Sequence, residues 1–183
     1  MKSSAASSYL RHHVGPALVF DTHQQLSEQI DSPELNVTKD TVIILRNAGP
    51  VGGPGMPEWG NLPIPKKLLQ QGVTDMVRIS DARMSGTHYG TCILHVAPEA
   101  AVGGPLALVQ TGDLIELNIE AGSLNMLVDD TELAQRREAL KPTHQTFSRS
   151  WSALYQQHVT QADEGCDFDF LQSGSDVPEP PIF

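Results

Sequence analysis

Apolar residues recur along the chain in two patterns that predict β-strands. Nearly continuous apolar and β-branched runs at residues 14–20 and 41–46 are typical of buried strands. Apolar and polar residues alternate at residues 77–80 and 114–119, which indicates a strand with one buried face. With the shorter apolar segments, the predicted strands are residues 14–20, 41–46, 75–80, 89–96, 106–110, 114–119 and 124–128. The pattern at residues 89–96 fits a helix as well, although a strand is favoured.

Capping and helix-breaking residues predict four helices, at residues 22–30, 64–71, 132–140 and 150–161. Asp21 is expected to cap the first helix, and Gly72 is expected to end the second. Either Asp129 or Asp130 caps the third. Single strands and hairpins, with helices between some of them, indicate an α+β fold with a mixed barrel or a layered sheet.

One loop between predicted elements is shaped by glycine and proline. The Gly/Pro loop (residues 47–59) follows a predicted buried strand and precedes a predicted helix. Glycine and proline at this density exclude helix and strand alike. A loop between two ordered elements is more consistent with a fixed shape than with a linker, and it presents one carboxylate, Glu58. The alternative is a solvated glutamate, which is the common state of a single glutamate in a loop.

A second irregular segment holds a hydroxyl at the end of a predicted strand. The Ser85 turn (residues 81–87) follows the alternating residues 77–80 and is rich in small and polar residues. Loops that are held by rigid strands often carry binding and catalytic residues. The alternative is an ordinary turn serine that bonds to its own backbone.

Composition limits the classes of function. The 183 residues, 39% of them hydrophobic, suffice for one domain of ordinary size. A net charge of −10 argues against nucleic acid and against an anionic membrane surface as partners, because both attract basic proteins. No apolar run is long enough to span a bilayer, and no secretory signal is found. Cys92 and Cys166 lie far apart without a CxxC spacing, which favours reduced thiols and a cytoplasmic location.

Several uncommon motifs follow one another in the order found in one enzyme family. They are Gly49-Pro50, Gly52-Gly53-Pro54-Gly55-Met56-Pro57-Glu58, Ser80-Asp81-Ala82-Arg83-Met84-Ser85-Gly86-Thr87, His95-Val96-Ala97-Pro98-Glu99-Ala100, Gly103-Gly104-Pro105 and Gly112-Asp113. Through them the chain resembles, from about residue 14 to residue 140, the carboxy-terminal domain of the dihydroxy-acid and sugar-acid dehydratases. Residues 161–171 resemble the sugar-acid branch (arabinonate and xylonate type) more than the branched-chain amino-acid branch.

The resemblance implies a fold and a division of the chain. The expected fold is a swivelling β/β/α domain, an α+β arrangement in which a mixed, barrel-like sheet is flanked by helices. Residues 1–13 are expected to be a linker or disordered, and residues 14–141 to form the dehydratase domain. Residues 142–172 are expected to form a carboxy-terminal helical extension, and residues 173–183 a disordered tail.

The resemblance also implies roles for individual residues. Ser85 is expected to be the base, acting as an alkoxide that takes the proton next to the substrate carboxylate. Glu58 is expected to be a ligand of a divalent cation, most simply Mg²⁺. Thr87 and Arg83 are candidates for substrate contact. The alternatives are a turn-capping role for Thr87 and a structural ion pair of Arg83 with Asp81 or another carboxylate.

Family members carry their iron–sulfur cysteines ([2Fe–2S] or [4Fe–4S]) and most metal ligands in a larger amino-terminal domain, for which this chain has no counterpart. The resemblance therefore implies a hydro-lyase domain that supplies the serine base and one Mg²⁺ ligand for a small sugar acid. It needs an amino-terminal partner domain and a homo-oligomer, and it is expected to be inactive alone. The alternative is a non-catalytic remnant or binding module that retains the fold.

The remaining candidate ligands receive simpler assignments. His95 lies in an apolar, strand-like run, so a hydrogen-bonded core histidine is expected there. His88 has no assigned role. The two cysteines are expected to be structural thiols.

Overall fold

A computed structural model describes residues 1–141 and 144–171. The predicted tail at residues 173–183 lies outside the described residues. Six strands form one curled, mixed sheet in the order β4-β3-β2-β1-β5-β6. Their bounds are β1 His12–Phe20, β2 Val42–Leu45, β3 Arg78–Ser80, β4 Cys92–Ile93, β5 Leu114–Asn118 and β6 Ser123–Met126. The prediction of a mixed sheet with flanking helices is confirmed, whereas the swivelling-domain class stays a prediction.

The long strand β1 joins a parallel half of the sheet to an antiparallel half. Its residues 12–16 pair antiparallel with β5, and its residues 17–20 pair parallel with β2. On the parallel side β2 pairs with β3, and β3 pairs with β4, in the same direction. The carboxyl ends of the four parallel strands therefore lie along one edge.

Strand β2 is buried on both faces, as its unbroken apolar sequence predicts. Successive side chains of a strand point to opposite faces. Ile43 and Leu45 accordingly belong to one apolar core with Phe20. Val42 and Ile44 belong to a second core on the other face. The sheet thus separates two cores, and β2 lies at the centre of both.

Four α-helices accompany the sheet: α1 His23–Gln29, α2 Lys66–Gln70, α3 Asp130–Ala139 and α4 Ser150–His158. The expected cap of α1 was wrong, because the Thr22 hydroxyl, not Asp21, accepts the Gln25 N–H at 3.1 Å. Asp129 caps α3, as one of the two expected alternatives. No helix in residues 1–141 or 144–171 combines the length and the apolar character that crossing a bilayer requires.

Two predicted strands differ from the structure. Residues 106–110 do not form a strand, because Pro105 begins a 3-10 helix, Pro105–Leu108, that buries Leu106 and Leu108. Proline suits the first turn of a helix, since it has no N–H to leave unbonded there. Within residues 89–96 only Cys92–Ile93 are in a strand. At the amino terminus, residues 1–13 contain the 3-10 helices Ser3–Ala5 and Ser8–Leu10, and Leu10 is buried.

Candidate functional site

The Gly/Pro loop and the Ser85 turn leave the sheet at the same edge. The Gly/Pro loop follows β2, and the Ser85 turn follows β3. These strands are parallel neighbours in which Leu45 is paired with Ser80, so both loops begin at the same height. Ligands of open parallel sheets bind outside the carboxyl ends of the strands. The two segments that carry the predicted chemistry therefore lie side by side where a ligand site is expected.

Glu58 and Arg83, one from each segment, form an ion pair. The Nη1 atom of Arg83 lies 3.0 Å from Oε1 of Glu58, and its Nε donates to the carbonyl of Met56 at 2.6 Å. An ion pair of Arg83 with a carboxylate was the expected alternative to substrate contact, and the structure shows it with Glu58 and not with Asp81. Substrate contact by Arg83 stays a prediction. Both side chains are nearly half exposed, so the ion pair adds little stability and can be exchanged for another ligand.

Ser85 and Thr87 are joined by their hydroxyls. Ser85 Oγ lies 2.9 Å from Thr87 Oγ1 and also accepts the Thr87 N–H at 3.4 Å. The Ser85 carbonyl accepts the N–H of His88 at 3.2 Å. The hydroxyl is therefore bonded within its own turn, and its neighbours are donors that also suit a negatively charged oxygen.

A cavity of about 170 Å³ lies beside Ser85, and His88, Cys92 and His95 are among the residues that line it. The expectation that His95 is a core histidine was wrong. His95 is exposed and has a φ of +53°, which no strand adopts. Both histidines thus share the cavity of the proposed base.

The two candidate pairs are linked through the backbone. The Gly60 N–H donates to the Arg83 carbonyl at 2.8 Å, which ties the end of the Gly/Pro loop to the Ser85 turn. Among residues 1–141 and 144–171, no side-chain hydrogen bond joins the Glu58–Arg83 pair to the Ser85–Thr87 pair. The structure therefore brings the four candidates together as two adjacent pairs.

Two buried carboxylates beneath these loops were not singled out from the sequence. Asp81 is fully buried, and it accepts the N–H groups of Asn47, Ala48 and Ala100 at 3.0–3.1 Å. Burial raises the pKa of Asp81 to about 6, although these three donors oppose the shift. The nearby charge of Glu99 adds to the increase.

Glu99 is the second buried carboxylate, with 1% of its surface exposed. Its two oxygens accept the N–H groups of Val51 at 2.8 Å and of Gly52 at 2.9 Å. Asp81 therefore holds the start of the Gly/Pro loop, and Glu99 holds its middle. The position of Asp81 directly after a predicted strand could have indicated its role from the sequence. The role of Glu99 could not be predicted in this way, because it depends on contacts between residues far apart in the sequence.

The residues of this chain fit part of a metal site only. Among residues 1–141 and 144–171, no group of three or more histidine, cysteine or acidic side chains is placed to hold a metal ion. Glu58 offers one exposed carboxylate, the kind of oxygen ligand that Mg²⁺ prefers. Within the same described residues, Cys92 and Cys166 belong to no such group, and burial raises the pKa of both thiols.

Comparison with known proteins identifies the class. The family model for the dihydroxy-acid/6-phosphogluconate dehydratase C-terminal domain matches residues 1–166. The chain therefore belongs to this family, as the resemblance predicted, and the match extends beyond the 14–140 segment on which that prediction relied.

Several characterised or named dehydratases are similar to this chain. The 6-deoxy-6-sulfo-D-gluconate dehydratase of Pseudomonas putida is 72% identical over 182 residues, which cover all of this chain and 31% of that protein. The L-arabonate dehydratase of Azospirillum brasilense is 51% identical over 186 residues (97% of this chain, 32% of that protein). The dihydroxy-acid dehydratase of Akkermansia muciniphila is 39% identical over 152 residues (82% and 26%). The chain thus spans about a third of the length of the curated relatives that it matches.

Proposed function

We propose that this chain supplies part of the active site of a hydro-lyase that converts a sugar acid, or another 2,3-dihydroxy acid, into a 2-keto-3-deoxy acid. The observation that carries the proposal is the departure of the Gly/Pro loop and the Ser85 turn from paired positions at one edge of the sheet. Family membership and relatives that are named for sugar-acid dehydration support it. The similarity to a sulfosugar-acid dehydratase favours a sugar acid over a branched-chain substrate.

Ser85 is the proposed base. Its alkoxide oxygen takes the proton from C2, and the 3-hydroxyl leaves as water by taking up that proton, which restores the alkoxide. The resulting enol then tautomerises to the 2-keto acid. A serine hydroxyl is a weak acid, so its anion needs donors that are already in place. Thr87 offers such donors, because both its hydroxyl and its N–H contact Ser85 Oγ.

Glu58 and Arg83 are proposed to bind the metal ion and the substrate. Glu58 would contribute one carboxylate ligand to Mg²⁺, which when bound would polarise the oxygens of the substrate. Arg83 would exchange its exposed contact with Glu58 for the carboxylate of the substrate. A guanidinium suits that exchange because it binds carboxylates in a bidentate manner.

The remaining parts of the site are proposed to come from elsewhere in a longer protein. An amino-terminal domain would supply the other Mg²⁺ ligands and any iron–sulfur cluster. It would correspond to the part of the relatives that this chain does not match. The active enzyme is proposed to be a homo-oligomer in the cytoplasm.

The test is the variant Ser85→Ala in the full-length dehydratase. Loss of the base should lower turnover by about 10²–10⁴-fold, the usual contribution of a positioned base. Substrate and Mg²⁺ binding should remain, because only one small hydroxyl is removed. Exchange of the C2 proton with solvent should fall in parallel with turnover. Thr87→Ala should have a milder effect, since the serine oxygen itself remains.

A matched control is Ser27→Ala, which removes an exposed hydroxyl on α1 that bonds only to the carbonyl of Gln24. Its turnover should equal that of the wild type. If Ser85→Ala keeps a large share of wild-type turnover, the assignment of the base is wrong, and His88 becomes the next candidate.

A further inference from the structure

The middle of the Gly/Pro loop is held by side chains from the C-terminal extension (residues 144–171). The key residue is Val51, whose N–H and carbonyl are both bonded to side chains. The N–H donates to Oε1 of Glu99, and the carbonyl accepts Nε2 of Gln156 at 3.0 Å. Two polar contacts therefore fix the backbone of one residue in the loop that leads to Glu58.

Gln161 orients the buried Glu99 by a reciprocal pair of hydrogen bonds. Its Nε2 donates to Glu99 Oε1 at 2.9 Å, and its Oε1 accepts the Glu99 N–H at 2.8 Å. The Glu99 carboxylate therefore has a fixed direction as it accepts the N–H groups of Val51 and Gly52. Hydrogen bonds to a buried charged group are among the stronger ones in proteins, and leaving such a group unpaired is costly.

Gln156 anchors the second contact to the extension itself. Its Nε2 also donates to the carbonyl of Gln145 at 2.8 Å, and its Oε1 accepts the N–H of Phe147 at 3.1 Å. The Gln156 amide thus connects the segment before α4 with the Gly/Pro loop, through its bonds to Gln145, Phe147 and Val51. The junction between the C-terminal extension and the Gly/Pro loop therefore rests on several hydrogen bonds of one half-buried side chain.

The packing at this junction leaves no room for adjustment. A Cβ atom on Gly49 would lie 2.7 Å from Oε2 of Glu99, so only glycine fits there. A Cβ atom on Gly52 would lie 2.6 Å from the carbonyl of Asn47. The loop is therefore closed tightly around the carboxylate that Gln161 orients.

From these contacts we propose that Gln161 and Gln156 are positioning residues for the metal ligand Glu58. They act through Glu99 and through the backbone of Val51, and they make the C-terminal extension a structural part of the metal-binding loop. This inference rests on the proposed role of Glu58 as a Mg²⁺ ligand. Neither glutamine touches substrate or metal in this assignment.

The test uses Gln161→Met and Gln156→Met in the full-length dehydratase, with Gln157→Met as the matched control. Methionine is similar in length to glutamine but cannot form these hydrogen bonds. Gln157 lies in the same helix, α4, and is exposed. Two separate positions keep the test informative if one variant fails to fold, and cooperative thermal unfolding identifies the folded ones.

The first readout is amide hydrogen exchange, followed by mass spectrometry of peptides that include Val51 and Gly52. Loss of one hydrogen bond at this junction should accelerate exchange there by about 10-fold. Peptides from β2 should exchange as in the wild type, and Gln157→Met should change neither region.

The second readout is the dependence of turnover on Mg²⁺ concentration. Both variants should raise the apparent KM for Mg²⁺ by about 10-fold or more. Losses of this size are usual when a residue that holds a metal ligand in place, without touching the metal, is replaced. The turnover number at saturating Mg²⁺ should stay near that of the wild type, whereas general destabilisation would lower it at all concentrations.

Glu58→Ala separates failure of this inference from failure of the proposed function. If Glu58→Ala leaves the Mg²⁺ requirement unchanged, the metal role of Glu58 is wrong, and the inference falls with it. If Glu58→Ala weakens the response to Mg²⁺ but the two glutamine variants leave KM unchanged, the positioning role is overturned, whatever the exchange rates show.

Discussion

Asp81 has no exposed surface and lies where the Gly/Pro loop, the Ser85 turn and residue 100 meet. Its carboxylate accepts three backbone N–H groups, two from the Gly/Pro loop and one from Ala100. It lies two residues from Arg83 and four from Ser85, so its protonation state bears directly on the candidate site. The structure therefore makes a pH-dependent prediction at the scale of a single residue.

Asp81 should make the chain less stable as the pH rises from about 4 to about 6. An unfolded aspartate loses its proton near pH 3.8, whereas folded Asp81 retains it up to about pH 6. Between these values the folded state binds the additional proton, so the free energy of unfolding decreases with increasing pH. The difference between the folded and unfolded pKa values corresponds to a decrease of about 3 kcal/mol in the free energy of unfolding, complete by neutral pH. Urea unfolding of the wild type and of Asp81→Asn measures it: the wild-type decrease should be absent from the variant.

Asp75→Asn is the control, because the pKa of Asp75 is shifted in the opposite direction from that of Asp81. Burial works against the charge of Asp75, but hydrogen bonds from Thr91 and Ser7 outweigh it, and the pKa of Asp75 is lowered. Its contribution to stability is therefore present above pH 3.8 and is lost at lower pH. If Asp81→Asn retains the wild-type slope between about pH 4 and about pH 6, another group must be responsible.

At the scale of elements, the connection from β3 to β4 that contains the Ser85 turn is held at its two ends. The N–H of Arg78 donates to the Thr91 carbonyl at 3.0 Å, and Asp75 accepts both the N–H and the hydroxyl of Thr91. The buried guanidinium of Arg78 donates to the carbonyls of Leu62 and Tyr89 and pairs with Asp75. Residues 83–87 of the turn are partly or largely exposed, whereas these supporting contacts are in the interior.

Replacing Arg78 by lysine should lower the free energy of unfolding by about 3 kcal/mol. Lysine keeps the charge but cannot direct planar donors to Leu62, Tyr89 and Asp75 together, which leaves buried acceptors unpaired. Denaturant unfolding measures the change. The control Arg137→Lys, at an exposed position of α3, should stay within about 0.5 kcal/mol of the wild type. Equal stability of Arg78→Lys and wild type would show that these contacts do not support the turn.

At the scale of the whole molecule, the proposed function gives this chain one side of a site. Its candidates are a base, a substrate-binding arginine and a single carboxylate ligand, and the described residues hold no complete metal centre. The relatives are about three times as long as the segment that matches. Ser85 lines a small cavity, whereas Glu58, Arg83 and Thr87 are exposed, as a site divided between two domains would require.

The 183-residue chain alone is therefore expected to be folded and inactive as a dehydratase. Purified chain would be assayed with several sugar acids and Mg²⁺, after treatment with iron and sulfide, for keto-acid formation. The full-length dehydratase under identical conditions is the positive control, and circular dichroism confirms that the short chain is folded. Keto-acid formation above background by the short chain would mean that it holds a complete site.

The sequence alone determined those features that depend on neighbouring residues. The unbroken apolar run of β2 sufficed to predict a buried strand, because burial on both faces requires it. The dense glycine and proline of residues 47–59 excluded regular structure, and the motif order identified the family. Glu58 and Ser85 could be singled out because each stands in a loop next to such a strand.

Only the tertiary structure decided which residues meet. Asp81 binds the N–H of Asn47 across 34 positions, Glu99 binds that of Val51 across 48, and Gln161 reaches Glu99 across 62. No local pattern encodes such contacts, because they follow from the parallel order of β2, β3 and β4 and from the packing of the C-terminal extension. For the same reason the sequence left open which carboxylate would pair with Arg83, and the fold brings Glu58 to it.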